Sequence, residues 1–250
     1  MTGEKSRFTS DRRGPGESSW KDDADWAAGA SEGVDVVDGG LVGRPPVQSG
    51  DIPDSVVSHR QIGSRDRHLH AINAGDVTRE WTYDTGNSAI RTSPAVVDGV
   101  VYAANTGGNL YAINAADGSE EWRYATSGGI RSSPAIVNGT VYVGSGDNNL
   151  YAINAADGSE EWRYATGGNV RSSPTVVDGV VYVGSFDNKL HAIYADGTME
   201  WTFGTGDLIQ SSPAVVDGVV YIGSDDNKLY AINAADGTME WAFGTGGSIQ

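Results

Sequence analysis

Cysteine is absent from all 250 residues. Its absence excludes a disulfide framework, a thiolate metal site and a cysteine nucleophile. Lysine is scarce: Lys5, Lys21, Lys189 and Lys228 are the whole set, and the rest of the Lys and Arg total is arginine. No apolar run approaches the ~18 residues that span a bilayer, so no membrane insertion is expected. Stretches of Leu, Lys and Glu that favour helices are few, which argues against a helical solenoid. No export signal is read either. Arg12-Arg13 resembles a twin-arginine signal, but Gly14-Pro15-Gly16-Glu17 follows where an apolar segment belongs. The compartment is left open.

Acid and glycine are plentiful. The 33 Asp and Glu residues against 17 Lys and Arg give a net charge of −16. Such a surface repels a phosphate backbone, so nucleic acid is not expected as a partner. An acidic, lysine-poor surface suits concentrated salt, which screens self-repulsion; a halophilic, haloarchaeal protein is expected. The 35 glycines suit an architecture with many tight turns.

Fixed-period repetition organises the chain. Ser132-Ser133-Pro134 recurs at Ser172-Ser173-Pro174 and Ser211-Ser212-Pro213, with Thr92-Ser93-Pro94 as an earlier variant. Trp81, Trp122, Trp162, Trp201 and Trp241 keep the same beat. The run NAADGSEEWRYAT at 114–126 returns letter for letter at 154–166. Each unit reads as four short strands. In the unit 132–171, Pro134-Ala135-Ile136-Val137 is apolar and β-prone, and Asn138-Gly139 makes a primed two-residue hairpin turn. Thr140 to Gly144 is the second strand, Leu150 to Asn154 the third and Glu160 to Ala165 the fourth. Four strands in about 40 residues, repeated, make one β-propeller blade per unit. The tryptophans are predicted to wedge one blade against the next. At ~150–250 Å² per indole and ~25 cal/mol per Å², each would contribute roughly 4–6 kcal/mol gross.

The repeat breaks in two places. Residues 1–33 lack periodicity and read as disordered or loosely docked. Residues 34–91 form a degenerate blade. There Val36-Val37-Asp38-Gly39 echoes the first hairpin, the prolines of Arg44-Pro45-Pro46 and Asp51-Ile52-Pro53-Asp54 interrupt it, and Gln61-Ile62-Gly63-Ser64 resumes the pattern. Good blades follow at 92–131, 132–171, 172–210 and 211–250. The chain reaches Gly247-Ser248-Ile249-Gln250 where earlier units continue into a Ser-Ser-Pro strand. An incomplete ring is therefore predicted, with an open edge able to pair with another chain.

The unit SSPAVVDGVVYIGSDDNKLYAINAADGTMEW at 211–241 resembles the repeat of the pyrroloquinoline-quinone-like (BamB-like) β-propeller family. The resemblance rests on Ala235-Asp236-Gly237 to Trp241 and on the Tyr-Ile-Gly-Ser and Leu-Tyr-Ala-Ile-Asn strands. It implies the propeller fold and two very different kinds of function. Quinoprotein dehydrogenases hold the quinone (PQQ) with Ca²⁺ in the central funnel. Non-catalytic members are similar to the BamB scaffold or to cell-surface propellers, and relatives are commonly exported.

The alcohol-oxidising members use a pair of adjacent cysteines, absent here, and irregular insertions; these blades are nearly uniform. No catalytic residue, cofactor or metal ligand is therefore assigned. Asp225-Asp226-Asn227 and Asp147-Asn148-Asn149 lack the spacing of a calcium loop and read as turns. His59, His68, His70 and His191 are the only histidines. His68 and His70 share a strand face, but His70 and His191 fall where other units carry Tyr111, Tyr151 and Tyr230, and so read as aromatic substitutes. The Ser-Ser-Pro serines are expected to anchor the innermost strand by local backbone bonding. The candidate contacts are Arg91, Arg131, Arg171, Gln210 and Gln250, each just before the next blade's innermost strand. They are expected to line one mouth of the channel, where arginines could hold a carboxylate or an acidic peptide. The simpler reading, which is preferred, pairs each with an Asp or Glu of a neighbouring blade. A non-catalytic scaffold binding a protein or peptide partner is the expected function. The alternatives are a piece of a PQQ-dependent dehydrogenase and a truncated copy without independent function.

Overall fold

The computed structural model describes residues 36–37, 40–41, 55–57, 66–73 and 78–250. These residues contain β-strands and turns and no helix. Residues 1–33, His59, both proline interruptions and Gln61-Ile62-Gly63-Ser64 lie outside them. The first hairpin pairs β1 (Val36–Val37) with β2 (Gly40–Leu41), Val36 opposite Leu41. Next come β3 (Ser55–Val57), β4 (His68–Asn73) and β5 (Arg79–Asp84), a three-stranded sheet.

Four complete blades follow, each an antiparallel sheet in simple sequence order. The first holds β6 (Ala95–Val97), β7 (Val100–Ala104), β8 (Asn109–Asn114) and β9 (Glu120–Ala125). The second holds β10 (Ala135–Val137), β11 (Thr140–Gly144), β12 (Asn149–Asn154) and β13 (Glu160–Ala165). The third holds β14 (Thr175–Val177), β15 (Val180–Gly184), β16 (Lys189–Tyr194) and β17 (Met199–Gly204). The fourth holds β18 (Ala214–Val216), β19 (Val219–Ser224), β20 (Lys228–Asn233) and β21 (Met239–Gly244). The innermost strands β6, β10, β14 and β18 approach one another in that order. The blades thus form a propeller arc that does not close into a ring.

Local chemistry explains each blade. Asn138 and Gly139 have φ of 51° and 79°, the double left-handed geometry that joins β10 to β11 with two residues. In the outer pair the register shifts at Ala152/Ile153: Ala152 faces Trp162, Ile153 faces Glu160, and Glu161 is the extra residue of a bulge. The same shift recurs at Ala71/Ile72, Ala112/Ile113, Ala192/Ile193 and Ala231/Ile232. Small Ala152, paired with both Tyr142 and Trp162, lets the two rings approach across it to 5.8 Å.

The core lies between blades. One cluster joins Tyr102, Leu110, Ala112, Trp122 and Ile130 to Val141, Val143, Tyr151 and Ile153 of the next sheet. Equivalent clusters fill the junctions before and after it. Four of the five repeated tryptophans lie between blades. Trp81, Trp122, Trp162 and Trp201 donate Nε1–H to the carbonyls of Ala115, Ala155, Ala195 and Ala234, each in the following blade, at 2.8–3.0 Å. Each indole also lies against a glycine of that blade: Gly118, Gly158, Gly197 or Gly237. Among the described residues Trp241 has no such neighbour. It is 43% exposed, against 8% for Trp122.

Candidate functional site

The loops that precede the innermost strands position the predicted contacts. In each blade the first Ser or Thr of the Ser-Ser-Pro segment ties this loop to its own second strand. Ser132 Oγ accepts from the Gly144 amide at 3.0 Å, and Ser172 Oγ from Gly184 at 3.1 Å. The second serine does something the sequence did not suggest: it clips blade to blade. Ser93 N–H donates to Ser133 Oγ, Ser133 N–H to Ser173 Oγ, and Ser173 N–H to Ser212 Oγ, at 2.9–3.0 Å. The bonding expected to be local is therefore partly inter-blade, because neighbouring innermost strands lie side by side. Arg91, Arg131, Arg171 and Gln210 sit two residues before the serines of this ladder, in equivalent loops of successive blades, a row called the rim below.

The rim is graded along its length. Gln210 Nε2 donates to Asp225 Oδ2 of the last blade at 2.8 Å, and Gln250 reaches Asp225 Oδ1 at 3.5 Å. That is the preferred pairing with an acid. The arginines depart from it: among the described residues no carboxylate lies within ion-pair distance of Arg91, Arg131 or Arg171. The turn between the second and third strands decides the difference. It offers Asp225 in the last blade, but Thr106, Gly146 and Phe186 at the same point of the three before it. Arg171 lies over the Phe186 ring, 4.7 Å from its centroid, a cation–π arrangement. Partial burial, helped by the nearby charge of Arg131, lowers the Arg171 pKa below its usual value.

The acidic turns have structural occupations. Asp147 accepts from the Ser127 amide at 2.9 Å and from Tyr151 OH at 2.8 Å. Asp226 accepts from the Gly206 and Lys228 amides at 2.8 and 3.1 Å. Asn148 and Asn227 take φ of 72° and 67°, as turn residues do. His70 and His191 occupy the strand position that tyrosine fills in other blades. His191 Nε2 bonds Asp187 at 3.1 Å and its ring packs edge-on against Tyr164, where the matching Tyr151 is tilted against Tyr124. His70 bonds Asp66 and stacks with His68 at 5.9 Å. Among the described residues no group of three or more His, Asp or Glu side chains is placed to hold a metal.

Residues 15–134, 65–176 and 167–250 match the family described as outer membrane protein assembly factor BamB. The chain belongs to the BamB family. Solved structures share its fold. BamB from Moraxella catarrhalis superposes with a TM-score of 0.66 at 19% identity, over 75% of this chain and 61% of that one. The computationally designed Ika8 protein gives 0.68 at 17%, over 78% and 60%. Quinohemoprotein alcohol dehydrogenase from Comamonas testosteroni gives 0.62 at 18%, over 71% and 40%. The chain spans about three fifths of the BamB structure's length. No curated protein sequence matches it significantly.

Proposed function

We propose that this BamB-family chain is a non-catalytic propeller scaffold that binds a protein or peptide partner. The observation that carries the reading is the rim. The blades bury their apolar faces against one another, while Arg91, Arg131 and Arg171 meet no carboxylate among the described residues. A rigid scaffold that leaves charge unmatched at one edge suits recognition of something outside itself. No cofactor is assigned, and the acidic, lysine-poor surface is proposed to serve in concentrated salt. The quinohemoprotein neighbour supports a second reading, in which the arc is part of a PQQ-dependent dehydrogenase, because the same fold carries that chemistry.

Two measurements separate them. The protein is incubated with PQQ, Ca²⁺, a dye acceptor, and alcohols or glucose. Dye reduction at the protein-free rate is expected; substrate-dependent reduction selects the dehydrogenase. In parallel, a photoreactive amino acid replaces Gln210 on the rim or Arg163 on the outer strand. Polypeptide adducts in cells are expected from the rim position only, and adducts from neither position would end the scaffold reading.

A further inference from the structure

We propose that the rim binds an acidic polypeptide segment, with carboxylates held by Arg91, Arg131 and Arg171. This rests on the scaffold reading and gives the partner its chemistry.

Four observations lead to it. First, the three arginines occupy equivalent loops of successive blades, and the serine ladder from Ser93 to Ser212 holds the innermost strands together beneath them. Charges distributed over three blades suit an extended ligand with several acids better than one small anion. Second, the arginines are uncompensated on a chain of net charge −16. The net acid of the chain repels a nucleic-acid backbone. Third, Phe186 holds the Arg171 guanidinium from one face. No acceptor among the described residues takes its N–H groups, so they are left for a two-pronged bond to a carboxylate. The crowding of Arg171 by Arg131 is relieved when an anion arrives between them. Fourth, the arc has a cationic stretch and a stop. In the last blade the matching pair is Gln210 and Asp225, already bonded to each other, so a bound acidic segment ends there against a like charge.

The same pair supplies a safe substitution. Glutamine is the natural occupant of this position in the last blade, so Arg131→Gln and Arg171→Gln keep the fold. Binding of fluorescein-labelled hexaglutamate is read by anisotropy in low salt, with hexalysine, citrate and oligothymidylate as comparison probes and Arg163→Gln as the outer-strand control. Charge-assisted contacts of this kind predict a loss of about threefold for each rim substitution and about tenfold or more for the pair. Hexalysine should not bind, citrate should bind more weakly than hexaglutamate, and Arg163→Gln should match the parent. Equal hexaglutamate affinity in the double variant, or an equal loss with Arg163→Gln, overturns the assignment. Tighter binding of oligothymidylate overturns it in favour of nucleic acid, and tighter citrate in favour of a small carboxylate. If no probe binds while rim cross-links to polypeptide persist, the acidic-segment proposal fails and the scaffold reading stands.

Discussion

His191 shows how one residue can keep a position's geometry and change its chemistry. Its ring takes the place of Tyr151 and Tyr230, bonds the turn carboxylate as they do, and packs edge-on against Tyr164. Unlike a phenol, an imidazole titrates near neutrality. Burial lowers the His191 pKa from its usual value of 6.5, although Asp187 pulls the other way. For Asp187, burial alone would raise the pKa, but the Gly167 amide and His191 outweigh it and hold the carboxyl below the usual range. The sign for His191 follows from proton uptake: below pH 6.5 the unfolded chain binds a proton that the folded side chain resists, so stability falls as pH drops through that value and levels off below the folded pKa. His191→Tyr restores the residue of the neighbouring blades and removes this part of the pH dependence. Denaturation midpoints for parent and variant at pH 7.5 and 5.5 test it. The parent should lose more on acidification, and an equal loss in both would assign the pH dependence elsewhere.

The Asn-Gly and Asp-Gly turns are the elements on which the arc depends, and they come in two kinds that look alike in sequence. Gly139 and Gly158 both have positive φ, 79° and 72°. A Cβ built on Gly139 meets nothing within 4 Å, whereas one on Gly158 would lie 2.7 Å from Trp122 Cδ2. Gly139→Ala should therefore cost only the left-handed backbone strain, about 1–2 kcal/mol. Gly158→Ala should add roughly 1–3 kcal/mol by displacing an indole from a packed junction. Chemical denaturation and hydrogen exchange at the blades on either side of that junction measure the difference; equal costs would mean that the indole has room to shift. The strands themselves were legible because apolar, β-prone runs, Asn-Gly or Asp-Gly turns and the 40-residue beat all agreed. The seat was not, because nothing in the letters Asp157-Gly158 says that an indole 36 positions earlier lies on the turn. The alanine carbonyl that accepts Trp Nε1–H is equally invisible, since any residue supplies a carbonyl. The bulge opposite Ala152 was hidden as well: Glu160 and Glu161 read as ordinary strand residues, and only pairing reveals the extra one. At the rim, the order of positions was readable from the repeat, but an acid partner is present for Gln210 and absent for the arginines among the described residues, because the equivalent turn position is Asp225 in the last blade and Phe186, Gly146 and Thr106 in the three before it.

At the scale of the molecule, one blade face has no neighbour among the described residues. Val216, Trp241 and Phe243 are exposed on the last sheet, where the equivalent Trp201 is buried and Val177 and Phe203 are packed against the core in the sheet before. We propose that this face self-associates, and that the net charge of −16 opposes the contact in dilute salt. Raising the salt from about 0.1 M to about 1 M shortens the Debye length from ~10 Å to ~3 Å and strengthens apolar burial. Light scattering should show a monomer in low salt and larger species in molar salt, and the double variant Trp241→Ser, Phe243→Ser should stay monomeric in both. A parent that remains monomeric in molar salt, or a variant that associates equally, would rule the face out. The junctions carry one last consequence. Each of the four is made by the same three parts: an indole, an alanine carbonyl and a glycine. A duplication or deletion of one whole unit within the good blades restores the same junction at the splice, so copy number can drift in the gene without any compensating mutation. Blade number is thereby open to change by whole units, each new junction being built from the parts already in place.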